Sequence, residues 1–562
     1  MIIRKAILVC MFATFAAAVI ITNAPTKLEA PYYTIMIYMN GSDLESDFGL
    51  ATDDLAEMLD SGLKPGNANV LILTGGTNRW VNGAIPELEC VIWQLKNDEL
   101  HELKSLGLAD MGVPETLSDF ITFSMETFPA QKYGLIMWDH GGGSIAGFGH
   151  DENFDNSALT LTDMKKAFET AGLRENKLEF LGFDACLMAT IEMAVIASDY
   201  AKILIAAEDL EPGDGWDYHF LSIFNRNPKI SGERLGKVIT DTFIAFYGKN
   251  STEILTLSVT DLSKVQPVMV AMGDLMAVAE IETEFIPLAI RRANTKTFGE
   301  GSPRDNYADM VDIGDMAKNL EDMYPLESKA VLDALENCVL YNRHNSDVDL
   351  YGLSTFYIYG GKSIGQYSLD VYAGLDMDEF YTEYLHEFFE NLTHEHSPVI
   401  HHELALWQPI YENTFVLAGI SKVETEKWPL LNDHFVPMYE INATANSRFF
   451  ATPAEINGEE VDIIFAQKGN TWHILGSRNR LEHVLQKGYD PILPGDEIAI
   501  FYEEWDFATS TKTWVQGEHF IAYDELILEW VYAPPDFVVF EICTNACGYQ
   551  SIEQNLPLSC TS

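Results

Sequence analysis

From residue 32 onward the chain repeats one pattern, a short apolar run followed by a longer stretch with helical spacing. The runs at 33–39 (YTIMIYM), 69–74 (NVLILT), 133–138 (YGLIMW), 178–183 (LEFLGF) and 203–207 (ILIAA) are too short for helices and read as buried strands. The stretches at 43–59, 116–128, 161–171 and 187–198 read as amphipathic helices. A buried strand that feeds a helix and returns beside itself makes a right-handed crossover. The expected fold class is therefore α/β, a mostly parallel sheet flanked by helices, with a hairpin around 91–95 decorating it. Residues 228–340 are mostly helical by spacing, 351–359 (YGLSTFYIY) reads as one more buried strand, and a two-helix stretch closes the unit near 395.

Beyond that point the character changes. Short apolar segments at 435–441, 447–450, 461–465, 471–475, 497–502 and 537–542 are divided by Gly, Pro and Asn turns, which predicts a β-rich C-terminal domain, sandwich or barrel-like. At the other end, Arg4 and Lys5 precede an apolar run at 6–21 and a more polar stretch ending at Ala30. This is the pattern of a secretory signal cleaved near Ala30, with an uncleaved N-terminal anchor as the alternative. Cys10 lies inside the apolar run, which argues against lipid attachment. No later stretch approaches the ~18 uninterrupted apolar residues of a membrane span. The expected division is 1–30 signal, 31–395 α/β unit and 396–562 β-rich domain, with a secreted or cell-surface location.

Composition narrows the partners. Of 562 residues, 47% are hydrophobic and 12% aromatic, ample for several packed cores, so wholesale disorder is excluded. The 35 basic against 85 acidic residues leave a formal charge of −50, which repels phosphate backbones and anionic lipid surfaces and excludes nucleic acid as a partner. The acidity suits a cationic substrate, and equally a solvated surface in a salty medium. Seven cysteines are too few for a disulfide scaffold. Cys10 leaves with the signal, Cys543, Cys547 and Cys560 crowd the C-terminus, where one pair closes a local loop at most, and Cys90, Cys186 and Cys338 are scattered.

Two junctions carry chemistry. The third predicted strand ends in Asp139-His140-Gly141-Gly142-Gly143, and the fourth in Asp184-Ala185-Cys186. In open parallel sheets, sites gather at the carboxyl ends of strands. His140 and Cys186 are 46 residues apart, the length of one crossover, so they are expected to meet at one sheet edge. A thiolate attacks an amide carbonyl while an imidazole protonates the leaving nitrogen. Cys186 is expected at the N-terminus of the following helix, where the macrodipole favours the thiolate. Its own N–H and that of Gly141 are the expected oxyanion donors, the glycines letting a substrate carbonyl approach the backbone. Singly, a buried Cys or a His after a strand is usually structural; together, with glycines at one turn and a helix start at the other, they point to a site.

The segments YGLIMWDHGGG (133–143) and LGFDACLMA (181–189) closely resemble the paired signatures of the clostripain family of cysteine endopeptidases, which share the caspase-like fold. Segments at 35–46, 116–130, 207–218 and 352–357 fall in the family's order, so the resemblance spans about residues 32–395. It implies a caspase-like catalytic domain, His140 and Cys186 as a catalytic dyad without a required third member, and cleavage of protein or peptide substrates after Arg or Lys through a thioester. It implies acidic groups at the floor of the P1 pocket, with Asp184 matching the family's acid and Asp214, in the PGDGW turn, as the second candidate. Relatives that mature by cutting themselves do so after a basic residue between His and Cys. The exposed-looking loop 150–158 has no Lys or Arg, Lys165 and Lys166 fall in a predicted helix, and Arg174 and Lys177 sit in a short loop, so a single-chain, monomeric enzyme is expected. Calcium, which some relatives require, has two candidate acidic groups: Asp43, Glu45 and Asp47, or Asp151, Glu152 and Asp155. Neither follows an EF-hand pattern, and no cofactor is required by the chemistry.

The cluster of His394, Glu395, His396, His401, His402 and Glu403 contains no HExxH and reads as a solvated connector. HGGG resembles an esterase oxyanion loop, but the GxSxG elbow is missing. The expected function is an exported cysteine endopeptidase. The alternatives are a non-catalytic surface or adhesion protein on the same fold, and an acyl or ester hydrolase using the same thiol.

Overall fold

The computed structural model describes residues 31–553 apart from 249–250, 252–253, 280, 302–307, 360–364, 393–398, 412–413, 423–426, 482–483, 486, 507–508, 510, 524–525 and 546–549. The expected signal, and Cys547 and Cys560, therefore lie outside the described residues. Among the described residues nine strands form one sheet: β1 (Tyr33–Asn40), β2 (Asn69–Gly75), β3 (Cys90–Lys96), β4 (Glu99–Gly107), β5 (Lys132–Trp138), β6 (Phe180–Asp184), β7 (Ile203–Ala206), β8 (Thr256–Asp261) and β9 (Val339–His344). Their spatial order is β9-β8-β7-β6-β5-β1-β2-β3-β4. The middle five, β7-β6-β5-β1-β2, are mutually parallel and coincide with the five apolar runs. Strands covered on both faces need no polar alternation, which is why they read as continuous hydrophobic runs.

Alternate residues of β1 serve opposite faces. Ile35, Ile37 and Met39 join a core with Leu55 and Met58 of helix Leu50–Asp60 and Leu235 and Ile239 of helix Gly232–Tyr247. Met36 and Tyr38 join the larger core beneath helices Pro114–Thr127, Leu161–Thr170 and Ile191–Ala197.

Several elements differ from the sequence reading. The helix expected at 43–59 is two, Ser42–Ser46 and Leu50–Asp60, broken where Gly49 takes φ +73°. The helix expected from 187 begins at Ile191, capped by Thr190, whose side chain accepts the Met193 N–H. β8 and β9 close the sheet antiparallel within a region that reads as helical, because β8 (TLSVTD) alternates polar and apolar side chains over only six residues. The strand expected at 351–359 shortens to Ser354–Phe356, in a separate three-stranded sheet with Thr297–Phe298 and Met310–Asp312. Its Ser354 N–H donates to Ala189 O at 2.9 Å, which braces the turn after Cys186.

The C-terminal region is β-rich, as expected. Among the described residues its eleven main strands form one branched antiparallel sheet, and they are longer than the sequence fragments suggest. The stretch read as a connector is, from Val399, a strand (Val399–Tyr411) paired with Val538–Asn545, so His401 and His402 stand opposite Thr544 and Cys543; His394, Glu395 and His396 lie outside the described residues. Steady antiparallel pairing on both sides overrides the polar composition of that segment. This region docks on the α/β unit through packing and hydrogen bonds. Ile254 packs with Ile441, Phe449 and Ile464, and Asn442 bridges Lys296 Nζ (2.6 Å) and Asp209 Oδ2 (2.7 Å). The docking carries residues 487–488, just after the Val484–Leu485 strand, to the carboxyl edge of the nine-stranded sheet.

Gly134 on β5 stands opposite Phe180 on β6, and a Cβ there would run into the Phe180 ring. Gly134→Val is expected to overpack this contact and cost about 1–3 kcal/mol. A thermal or urea midpoint equal to that of the wild type would show that the two strands are not held at this spacing.

Candidate active site

β5 and β6 pair with Trp138 opposite Asp184, so the chain leaves both strands at one level of the sheet. The two turns then touch. A Cβ on Gly141 would strike the Cys186 carbonyl oxygen and lie 2.9 Å from its carbonyl carbon. Glycine at 141 is what lets the loop after His140 lie flat against the Cys186 backbone.

The His140 turn is fastened by Asp139, whose buried carboxylate accepts from His140 N (2.7 Å), His150 N (2.9 Å), Ser42 Oγ (2.7 Å) and Asn40 Nδ2 (2.6 Å). This ties the end of β5 to the end of β1. The His140 ring is fully buried, and its Nε2 lies 2.8 Å from Asp43 Oδ1. His150 stacks on it, centroids 5.0 Å apart and planes within 14°, with Nε2 3.2 Å from the same oxygen. Burial disfavours the Asp43 charge, but the His140 and His150 imidazoles outweigh it and hold the carboxyl well below the usual carboxylate range. Facing a carboxylate, His140 Nε2 carries the ring proton, which leaves Nδ1 turned toward the cleft.

Cys186 is also fully buried, and Leu187 beside it takes φ +61°, a left-handed conformation that costs a branched residue energy and marks a held turn. Because the helix starts only at Ile191, its macrodipole does not act on the sulfur as expected. The nearest donor is instead Glu211 N–H, 3.2 Å from Sγ. Burial outweighs that donor and pushes the thiol up to about 12, so it stays protonated at neutral pH in this state.

Next to the pair is a small acidic pocket with an occupant from the chain itself. Lys487 is buried with its Nζ paired to Asp184 Oδ1, 3.7 Å from Glu211 Oε2 and 5.6 Å from the centre of the Trp138 ring. Asp184 Oδ2 accepts from Tyr218 OH at 3.0 Å and Trp216 N at 3.3 Å. Gly215, at φ +57°, forms the wall; a Cβ there would sit 2.6 Å from Lys487 Nζ. Burial lowers the affinity of Lys487 for its proton, but Asp184 and then Glu211 outweigh it and keep the ammonium charged. Burial also drives the Glu211 and Asp54 carboxyls well above their usual range. The Lys487 backbone N–H donates to His140 Nδ1 at 2.9 Å, and Gly488 N–H to Glu211 O at 3.2 Å.

A family model described as the Clostripain family matches residues 37–396, more than half of the chain. The chain belongs to the clostripain family. It is 31% identical over 132 residues to Clostripain of Hathewaya histolytica, a match that covers 21% of this chain and spans a quarter (25%) of that relative. Among solved structures it is similar to a secreted cysteine protease of the same family from Bacteroides thetaiotaomicron, in complex with an irreversible peptide inhibitor, at TM-score 0.48 and 16% identity over 62% of this chain and 99% of that one. An inactive zymogen from Parabacteroides distasonis gives TM-score 0.48 and 20% identity over 63% and 98%.

In this clostripain-family chain the expected residues come together with one exception. His140, Gly141, Cys186 and Asp184 share one cleft, whereas Asp214 is exposed on its turn and the second carboxylate beside Asp184 is Glu211. Glu211 lies three residues before Asp214 in the same loop, and its three backbone and side-chain contacts to the cleft left no periodic trace. Asp43, which the sequence offers only as one of an acidic group, also belongs to the cleft: it lies three residues beyond the end of β1, which pairs with β5.

Four of the six carboxylates named as calcium candidates have hydrogen-bond or ion-pair partners within the fold. Asp43 is taken by two imidazoles, and Glu45 accepts from Thr52 and Val81. Asp151 accepts from Met111 and Asn153, and Glu152 from Ser46, Thr77 and Asn78.

Asp43→Ala would free His140 Nε2 and let the ring turn. Peptide turnover is expected to fall on the order of 10²-fold in kcat with KM little changed, since general acid catalysis contributes about 10²–10⁴. A fall confined to KM would assign Asp43 to substrate binding instead.

Proposed function

We propose that this chain is an endopeptidase that hydrolyses peptide bonds on the carbonyl side of Lys or Arg. Cys186 attacks the scissile carbonyl, and the N–H groups of Gly141 and Cys186 hold the oxyanion. His140 Nδ1 takes the thiol proton and delivers it to the leaving nitrogen, while Asp43 fixes the ring through Nε2. The C–N bond breaks to a Cys186 thioester, and water completes hydrolysis. Asp184 and Glu211 form the floor of the pocket for the residue before the cut. The observation that carries this reading is the ammonium of Lys487, buried against Asp184 and near Glu211 beside the Cys186 turn. A pocket that holds one lysine side chain, with hydrogen-bonded carboxylates at its end, selects cationic side chains. The apolar run at 6–21 supports export, and among the described residues no helix is long and apolar enough to cross a membrane.

Because Lys487 fills the pocket in this state, the test uses a Lys487→Ala background. Fluorogenic peptides with Lys or Arg before the reporter are expected to turn over at least about 100-fold faster than those with Leu or Glu, and Cys186→Ala is expected to abolish turnover. Asp184→Asn removes one partner of a buried charge pair, an effect of about 3–5 kcal/mol, so the Lys preference is expected to fall by 10² or more. Preference for uncharged residues would overturn the pocket assignment. Silence across pH, reductant and calcium would favour the binding-protein reading.

A further inference from the structure

The β-rich domain sends two residues into the catalytic cleft, and their contacts differ in kind from those of a substrate about to be cut. Lys487 is fully buried there, although a lysine on a surface hairpin is ordinarily solvated. Its side chain takes the Asp184–Glu211 pocket over Trp138. Its backbone then lies across the reacting groups. Cleavage after Lys487 would require the imidazole to face the nitrogen that leaves, which is that of Gly488. Instead Gly488 N–H is bonded to Glu211 O at 3.2 Å, and His140 Nδ1 receives the N–H on the other side of the Lys487 α-carbon, at 2.9 Å. The one ring nitrogen facing the cleft is thereby held as an acceptor, without the proton a leaving amine needs. Gly488, at φ +77°, is pressed onto Gly213, where a Cβ would lie 2.9 Å from the Gly213 α-carbon, so the loop is seated by shape as well as charge.

We propose that residues 487–488 are a built-in inhibitor: the β-rich domain keeps the protease latent by filling its P1 pocket with Lys487 in a backbone sense that cannot be cleaved, and release of this loop switches the enzyme on. The activity that is released rests on the proposed protease reading, whereas the occlusion concerns only access to Cys186. The docking contacts at Asn442 and Ile254 hold the domain in place independently of the loop, so loosening the loop opens the cleft without dismantling the fold.

The test compares the full-length wild type with Lys487→Ala and Gly488→Val, neither of which alters a group proposed to react. Two readouts are taken on protein shown to be folded by circular dichroism: turnover of a Lys reporter peptide, and the rate at which iodoacetamide labels Cys186, resolved from Cys90 and Cys338 by peptide mapping. Both variants are expected to label Cys186 at least ten-fold faster than wild type and to turn over peptide at least ten-fold faster. Faster labelling without turnover would uphold occlusion while overturning the protease reading. Turnover and labelling equal to wild type in both folded variants would overturn occlusion while leaving the protease reading intact. If Lys487→Ala does not fold, Gly488→Val, which keeps the lysine, decides. Intact mass of the purified wild type is expected to show no chain starting at Gly488; such a terminus would overturn the uncleavable sense of the loop.

Discussion

The parallel pairing of β5 with β6 is the constraint on which everything else rests. Register fixes Trp138 opposite Asp184, and two residues later the chain has delivered His140 and Cys186 to the same edge. A slip of one residue would turn every side chain of one strand to the other face and send His140 and Cys186 apart. The register is locked from both sides of the sheet, with Leu135, Met137, Leu181 and Phe183 in one core and Ile136, Trp138 and Phe180 in the other. The apolar packing that makes the sheet stable thus also sets the site's geometry.

Charge in the cleft follows a second logic. Asp54, Asp184 and Glu211 are all buried around one ammonium, and burial drives the Asp54 and Glu211 carboxyls well above their usual range, which leaves Asp184 as the carboxylate paired with Lys487. Burying charge is expensive unless it is paired, and pairing here is partial. Directed donors support these carboxyl groups, Tyr218 OH and Trp216 N on Asp184, and Trp138 Nε1 on Asp54. The cation that Asp184 holds in this structure is Lys487 of the same chain.

Much of this was legible in the sequence, and the reasons for the gaps are physical. The five parallel strands announced themselves because burial on two faces erases polar positions. His140, Cys186 and Asp184 were legible because strand ends concentrate chemistry and because YGLIMWDHGGG and LGFDACLMA resemble a known family. β8 and β9 were hidden because each is only six residues long, β8 alternating polar and apolar side chains and β9 ending in the polar Asn342-Arg343-His344. Asp43 and Glu211 were hidden because each acts across a contact between distant elements, which neither periodicity nor spacing records. Lys487 was the least legible of all: it sits 347 residues from its partner His140, in a domain with no chemical motif, and only the docking of that domain gives it meaning.

Glu211 joins three of these relationships in one residue. Its N–H lies on the Cys186 sulfur, its carbonyl receives Gly488 N–H, and its carboxylate stands near the Lys487 ammonium. A substitution at Glu211 would therefore disturb the surroundings of Cys186, the seating of Gly488 and the Lys487 site together.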